Sequence, residues 1–250
     1  QIPADPQNIN QLFFMIEDCI HLGTIPFSIL ARHGFIAKTL LLSLVQCSIL
    51  SMDHVNQILA DIRTIASDLV DDIDQLQLGE LDHDAFMEQY GHLRPGTYDI
   101  TSPRYDQISG FGEIDFEIRK KQEKSNYELT LSQKKSINQL LLSEGFSEIN
   151  SESFLNYVKH GTAGREYGKF IFTRSVSNML EMIAGFGEYH GLSRDELSHL
   201  AITDFLNVVT NSTEGSIEDY FRQIAETNAE QHTISASIRL PQVLFDEAGV

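Results

Sequence analysis

The chain has 250 residues, 42 % of them hydrophobic and 22 % charged, which suits a soluble globular protein with a sizeable core. Its net charge of −18 argues against non-specific nucleic-acid binding and against attraction to an anionic membrane surface. Cys19 and Cys47 form no CxxC pair, so neither a zinc site nor a redox motif is indicated, and both read as buried thiols in apolar helices.

Helical signals dominate, and the expected fold class is mainly α, a multi-helix domain with a small β-hairpin insertion. Residues 8–22 predict a first helix with Leu12, Ile16 and Cys19 on one face. Residues 27–47 predict a second, apolar nearly all round and therefore central and buried. Its stretch Phe35–Leu50 is too short to span a bilayer and is broken by Lys38. A third helix is predicted over 52–76 with Ser51 as N-cap and Gly79 as terminator. Asp68, Asp71, Asp72 and Asp74 lack calcium-loop spacing and read as a solvated face, so no metal site is expected. Asp82 opens a short helix that stops at Gly91.

A stretch of different character follows, Tyr90-Gly91-His92-Leu93-Arg94-Pro95-Gly96-Thr97-Tyr98-Asp99-Ile100-Thr101-Ser102-Pro103-Arg104-Tyr105. Pro95 and Pro103 break helices and stiffen a loop. Two guanidiniums held near a histidine suit phosphate or carboxylate. The alternative is a connector whose arginines cap carbonyls or pair with acids.

Alternation at Phe116, Ile118, Tyr127, Leu129 and Leu131 predicts a β-hairpin over 115–130, its tip the basic run 119–124. Ser132 then caps a helix to Ser143, and Ser151 opens another. A long helix is expected over 162–189, with His160-Gly161-Thr162-Ala163-Gly164 as its start rather than a phosphate loop. Gly191 closes it. Ser193-Arg194-Asp195-Glu196 has capping-box spacing, and Ser216 begins a helix to about 229. The domain is expected over 1–231. Residues 232–250 alternate and predict a strand-like tail leading toward a missing domain, and the two ends read as cut from something longer.

Cations recur on helices. Arg32, His33 and Lys38 lie on the second helix, the first two near its N-terminus, where the dipole favours a bound anion. Arg165 and Lys169 share a face of the long helix, and Arg174 sits among Tyr167, Phe170, Ile171 and Asn178. An ion pair of Arg174 with Glu166 or Glu181 is the alternative to a ligand contact. No Walker loop and no Gly-x-Ser-x-Gly elbow is present.

The 90–105 stretch resembles the Gly-His-Arg-x-Pro-Gly…Asp…Pro-Arg-aromatic segment of phosphoenolpyruvate synthase-like phosphotransferases, the rifampin phosphotransferase group included. Three more segments resemble that family in its own order: Leu30-Ala31-Arg32-His33-Gly34-Phe35-Ile36-Ala37-Lys38, Gly164-Arg165-Glu166-Tyr167-Gly168-Lys169-Phe170-Ile171-Phe172-Thr173-Arg174, and His190-Gly191-Leu192-Ser193-Arg194-Asp195-Glu196-Leu197-Ser198. Together they fall across residues 28–200. The family often reads His-Arg-Gly-Pro-Gly, whereas here the arginine stands one place later.

The resemblance implies the helical middle domain alone, a fragment of an ATP-dependent phosphotransferase and inactive by itself. No segment matches the family's nucleotide-binding domain or the Gly-Gly-x-x-x-His pattern of its phosphohistidine domain. Those two domains would be its partners, ATP and Mg2+ would serve the full-length enzyme, and this fragment would bind no cofactor. The acceptor would be a small molecule, pyruvate-like or a larger hydroxyl compound such as an antibiotic. The expected substrate-binding residues are Arg32, His33, Lys38, Arg94, Tyr98, Asp99, Arg104, Arg165, Lys169 and Arg174. His92 is the candidate general base, because an unperturbed imidazole titrates near neutrality. The expected location is cytoplasmic, with no nucleic-acid or membrane partner. Two other readings stand beside this one: a non-catalytic helical spacer or dimerisation domain of the same protein, and a free-standing ligand sensor.

Overall fold

A computed structural model describes residues 9–111, 127–210 and 215–238. They are mainly helical, and no strand occurs among them. The chain divides into two compact units. One contains 1–17, 94–103 and 176–250; the other contains 18–93 and 104–175.

The larger unit begins with a six-residue π-helical segment, Cys19–Thr24, between α1 (Gln11–Asp18) and α2 (Ile25–Gln46). Helix α2 buries one narrow stripe, Gly34, Ala37, Leu41 and Leu44. The expectation of burial all round is therefore corrected: Ile29 is 56 % exposed and Phe35 60 %. An all-apolar circumference shows affinity for apolar contact but not how much of it this chain supplies.

The predicted third helix is two, α3 (Met52–Ala60) and α4 (Ile65–Gln77). Thr64 leaves helical angles (φ −126°, ψ 166°), and its N–H donates to Ser67 Oγ at 3.5 Å. Ser51 caps α3 as expected, accepting from the His54 N–H at 3.2 Å. Helix α5 (His83–Tyr90) starts on Asp82, whose carboxylate accepts from the Ala85 N–H at 3.1 Å.

The predicted hairpin falls mostly on residues 112–126, outside the described set. Its last part, Tyr127–Thr130, forms no strand, and the Tyr127 N–H donates to Asp61 Oδ2 at 2.8 Å. Thr130, not Ser132, caps α6 (Leu131–Ser143), accepting from the Gln133 N–H at 3.2 Å.

One helix of 39 residues, α7 (Ser151–Tyr189), replaces the two predicted segments. His160–Gly164 lies inside it, because its glycines face α2 instead of breaking the helix. A Cβ on Gly34 would lie 3.0 Å from Arg165 Cδ and 3.2 Å from the Gly161 oxygen, and one on Gly161 would lie 3.2 Å from the His33 oxygen. A side chain at either glycine would therefore press on the facing helix at the α2–α7 crossing. Ala37, Leu41, Val55, Ile58, Ile137 and Val158 form the core beneath it, and Ile73, Phe86, Tyr90 and Phe111 form a second cluster in the same unit.

The smaller unit packs Leu12, Ile100, Met182, Ile183, Phe186, Leu192, Leu197, Phe205 and Phe221 together. It contains α8 (Arg194–Ser198), α9 (Ile202–Thr210) and α10 (Ile217–Ser237). The Ser193–Glu196 capping box forms as its spacing predicts. Residues 232–237, predicted as the start of a strand, complete α10 instead. Their alternation serves no buried face, since Ile234 is 66 % exposed. The tail from 239 lies outside the described residues. Cys19 is buried, whereas Cys47 is exposed in the turn after α2, contrary to expectation.

Candidate functional site

In the smaller unit the loop 94–103 is built around one side chain. Arg94 points inward, and its Nη1 donates to the carbonyls of Asp99 and Ser102, each at 3.1 Å. Its Nη2 donates to Ser177 Oγ at 3.0 Å and to Glu181 Oε1 at 2.9 Å. Arg194 closes the cluster: its Nη1 donates to the Ile100 carbonyl at 2.9 Å and its Nη2 to Glu181 Oε2 at 2.8 Å. Glu181 is thus a buried carboxylate shared by two guanidiniums, an arrangement that offsets the cost of desolvating it.

The Arg94 side chain is 1 % exposed. Asp99 and Tyr98 instead face solvent. The Asp99 carboxylate accepts from the Thr101 N–H at 2.9 Å and its hydroxyl at 2.7 Å, and these bonds hold it below the usual carboxylate range.

The larger unit gathers His92, Arg104 and Arg174. Two backbone bonds clip the flanks of the segment together: the Tyr105 N–H donates to the Leu93 oxygen at 2.8 Å, and the Asp106 N–H to the Gly91 oxygen at 3.2 Å. This folds His92 inward against Phe170, ring centroids 4.9 Å apart. Burial, then the positive charges of Arg174 and Arg104, lower the imidazole pKa to about 4, partly opposed by backbone groups of Phe170 and Gln89. The ring is therefore neutral at pH 7 and a weaker base than an unperturbed histidine.

Arg104 pairs with Asp106, Nε to Oδ1 at 3.0 Å and Nη2 to Oδ2 at 2.6 Å. Arg174 reaches the C-terminal end of α5, its Nη2 donating to the Gln89 oxygen at 2.8 Å and the Glu88 oxygen at 3.3 Å. That is a favourable place for a cation on a helix. Beside them Tyr90, fully buried, donates to Asp72 Oδ2 at 2.7 Å, and burial raises its pKa.

The remaining candidates lie on α2 and α7. Arg32, His33 and Lys38 are exposed, and His33 Nδ1 is 3.1 Å from the Tyr157 hydroxyl. Arg32 borders an open groove of about 560 Å3 whose described lining lies on α2, with Phe27, Ala31, Phe35, Ile36 and Leu40. Arg165 pairs with Glu166 at 3.2 Å and stacks over the Phe35 ring at 5.1 Å. Lys169 is exposed.

The segment 90–105 therefore meets α7 twice, at His92 and Arg174 in one unit and at Arg94 and Glu181 in the other. Glu181 appears as the partner of Arg94, not of Arg174; Ser177 carries no chemical signal in the sequence beyond its place on a predicted helix, and Arg194 stands out only as part of a capping box and a family-like segment.

No cluster of three or more His, Cys, Asp or Glu side chains suited to a metal occurs among the described residues. One helical run among them, Gln11–Gln46, has the length and composition to cross a membrane. No protein-family model matches the chain, and neither the curated proteins nor the solved structures contain a significant match to it.

Proposed function

We propose that this chain is the acceptor-binding middle domain of an ATP-dependent phosphotransferase of the phosphoenolpyruvate synthase-like kind. It would act in the cytoplasm, with ATP and Mg2+ handled by other domains of the parent protein and the phosphoryl group delivered by a phosphohistidine domain. The observation that carries this reading is the convergence at His92. Two of the four family-like segments, 90–105 and 164–174, supply the His92 ring, Arg104 and Arg174, and burial first, then the charges of these two arginines, depress the basicity of the ring.

Such a domain contributes positioning and charge stabilisation rather than a covalent step. Arg174, exposed despite its bonds to α5, is the cation within reach of acceptor or phosphoryl oxygens. His92, neutral and buried, orients its surroundings better than it removes a proton, so the reading gives it a positioning role in place of general base.

The helical-spacer reading draws on a different observation: Arg94, Arg104 and Arg174 each bond within the protein. One experiment separates the two. The 250-residue chain and its Arg174→Ala variant are titrated calorimetrically with phosphoenolpyruvate, pyruvate, inorganic phosphate, AMP and a rifamycin. Binding of one compound, weakened at least about tenfold in a variant that still folds, supports the acceptor domain (about 1.4 kcal/mol). Absence of binding by all five, with the variant melting below the parent, favours the spacer.

A further inference from the structure

The outward face of α2 carries a regular stripe. Ile25, Ile29, Arg32, Ile36 and Leu40 are spaced four, three, four and four residues apart, and all five are exposed. At 100° per residue they fall within about 80° of the helix circumference, and they extend over about 22 Å. The four apolar members are 40–56 % exposed. This is the seam pattern with which one helix receives another, and here it points away from the buried stripe of Gly34, Ala37, Leu41 and Leu44.

Two further observations describe the occupant. First, the described residues that line the groove on this face all come from α2, and the ridges of a second helix fit a groove of that kind. Second, Arg32 is the one charged residue in the stripe, and it makes no ion pair among the described residues. Helix α2 itself contains no aspartate or glutamate. A second copy of α2 laid on this face would bring no carboxylate to Arg32 and, in a symmetric register, would set arginine against arginine.

We propose that the outer face of α2 docks a helix of a partner protein or partner domain whose apolar seam carries one carboxylate opposite Arg32. Apolar residues supply the contact area. The charge pair fixes register and selects the partner, as a single polar seam residue does in coiled coils. This inference does not depend on the phosphotransferase reading.

The test uses two fluorescein-labelled 21-residue helical peptides with leucine at the seam positions, one with glutamate and one with lysine at the central seam position. Their binding to the 250-residue chain is followed by fluorescence anisotropy at physiological salt. The glutamate peptide is expected to bind at least about tenfold more tightly than its lysine twin (about 1.4 kcal/mol). Arg32→Glu reverses that order, and Ile36→Asn, at an exposed position, abolishes binding without lowering Tm. Equal affinity for the two peptides, no binding by either, or indifference to Ile36→Asn overturns the proposal. Flotation with phosphatidylcholine vesicles that Ile36→Asn abolishes reassigns the face to lipid. A concentration-dependent dimer in sedimentation velocity, lost in the same variant, reassigns it to a second copy.

Discussion

Arg94 and Glu181, 87 residues apart in sequence, form a buried ion pair with Nη2 and Oε1 separated by 2.9 Å. Their side chains are 1 % and 8 % exposed. Removing one partner leaves a desolvated charge, which typically costs about 3–5 kcal/mol. Arg94→Ala and Glu181→Gln are each expected to lower the unfolding free energy by an amount in that range, seen as a lower urea midpoint. Arg94→Lys should recover little of it, because one ammonium cannot serve the Asp99 and Ser102 carbonyls together with Ser177 and Glu181. Chemical denaturation of the three variants checks this.

His92 makes stability depend on pH in a defined window. Its folded pKa of about 4 lies below the unfolded value near 6.5. Between these values the unfolded chain binds more protons, so stability rises with pH there. The favourable contribution of the neutral ring is complete above about pH 6.5 and lost as pH falls toward 4, with a total of a few kcal/mol. His92→Gln should flatten the slope between pH 4.5 and 6.5. Unfolding free energies of both proteins at half-unit pH intervals show whether it does.

Arg174 anchors the end of α5 through the Gln89 and Glu88 carbonyls. Because the side chain is exposed, the cost of Arg174→Ala should be modest, about 1 kcal/mol. Hydrogen exchange should quicken at the last amides of α5 and remain unchanged in α3. A uniform increase across the larger unit would contradict a local capping role.

The two cysteines should separate in a thiol titration. Cys47 is exposed, whereas Cys19 is buried and its pKa is raised by that burial. Ellman's reagent should label one thiol quickly in the native protein and the second only as the protein opens. A Cys47→Ser variant should lose the fast phase alone.

At the α2–α7 crossing, Gly161→Leu would drive a side chain into the His33 backbone and Ala37. Overpacking of this kind costs about 1–3 kcal/mol. The same change at Gly185, where a Cβ meets nothing within 4 Å, is the matched control and should cost less. Thermal unfolding compares the two.

The helices were legible where a local signal marks their ends. Ser51, Asp82 and Ser193 start helices through their own side chains, and Gly79 and Gly191 stop them at φ of +72° and +70°. The sequence misled where tertiary context decides. The glycines of 160–164 look like the start of a helix until α2 is set against them. The circumference of α2 looks buried until its neighbours are known. The gathering of His92, Arg104 and Arg174 was legible by composition, since 90–105 and 164–174 hold all three. The pairing was not: nothing in one sequence links Arg94 to Glu181 rather than Arg174, because the two residues become neighbours only through the fold.

The loop 94–103 takes its shape from a guanidinium that bonds to its own carbonyls at Asp99 and Ser102. What holds the loop is therefore distinct from what it displays. Substitutions at Thr97 and Tyr98, which play no part in that grip, would alter the displayed surface and leave the backbone path intact. The segment is accordingly a mounting whose outward side chains can be changed one by one without refolding the protein that carries it.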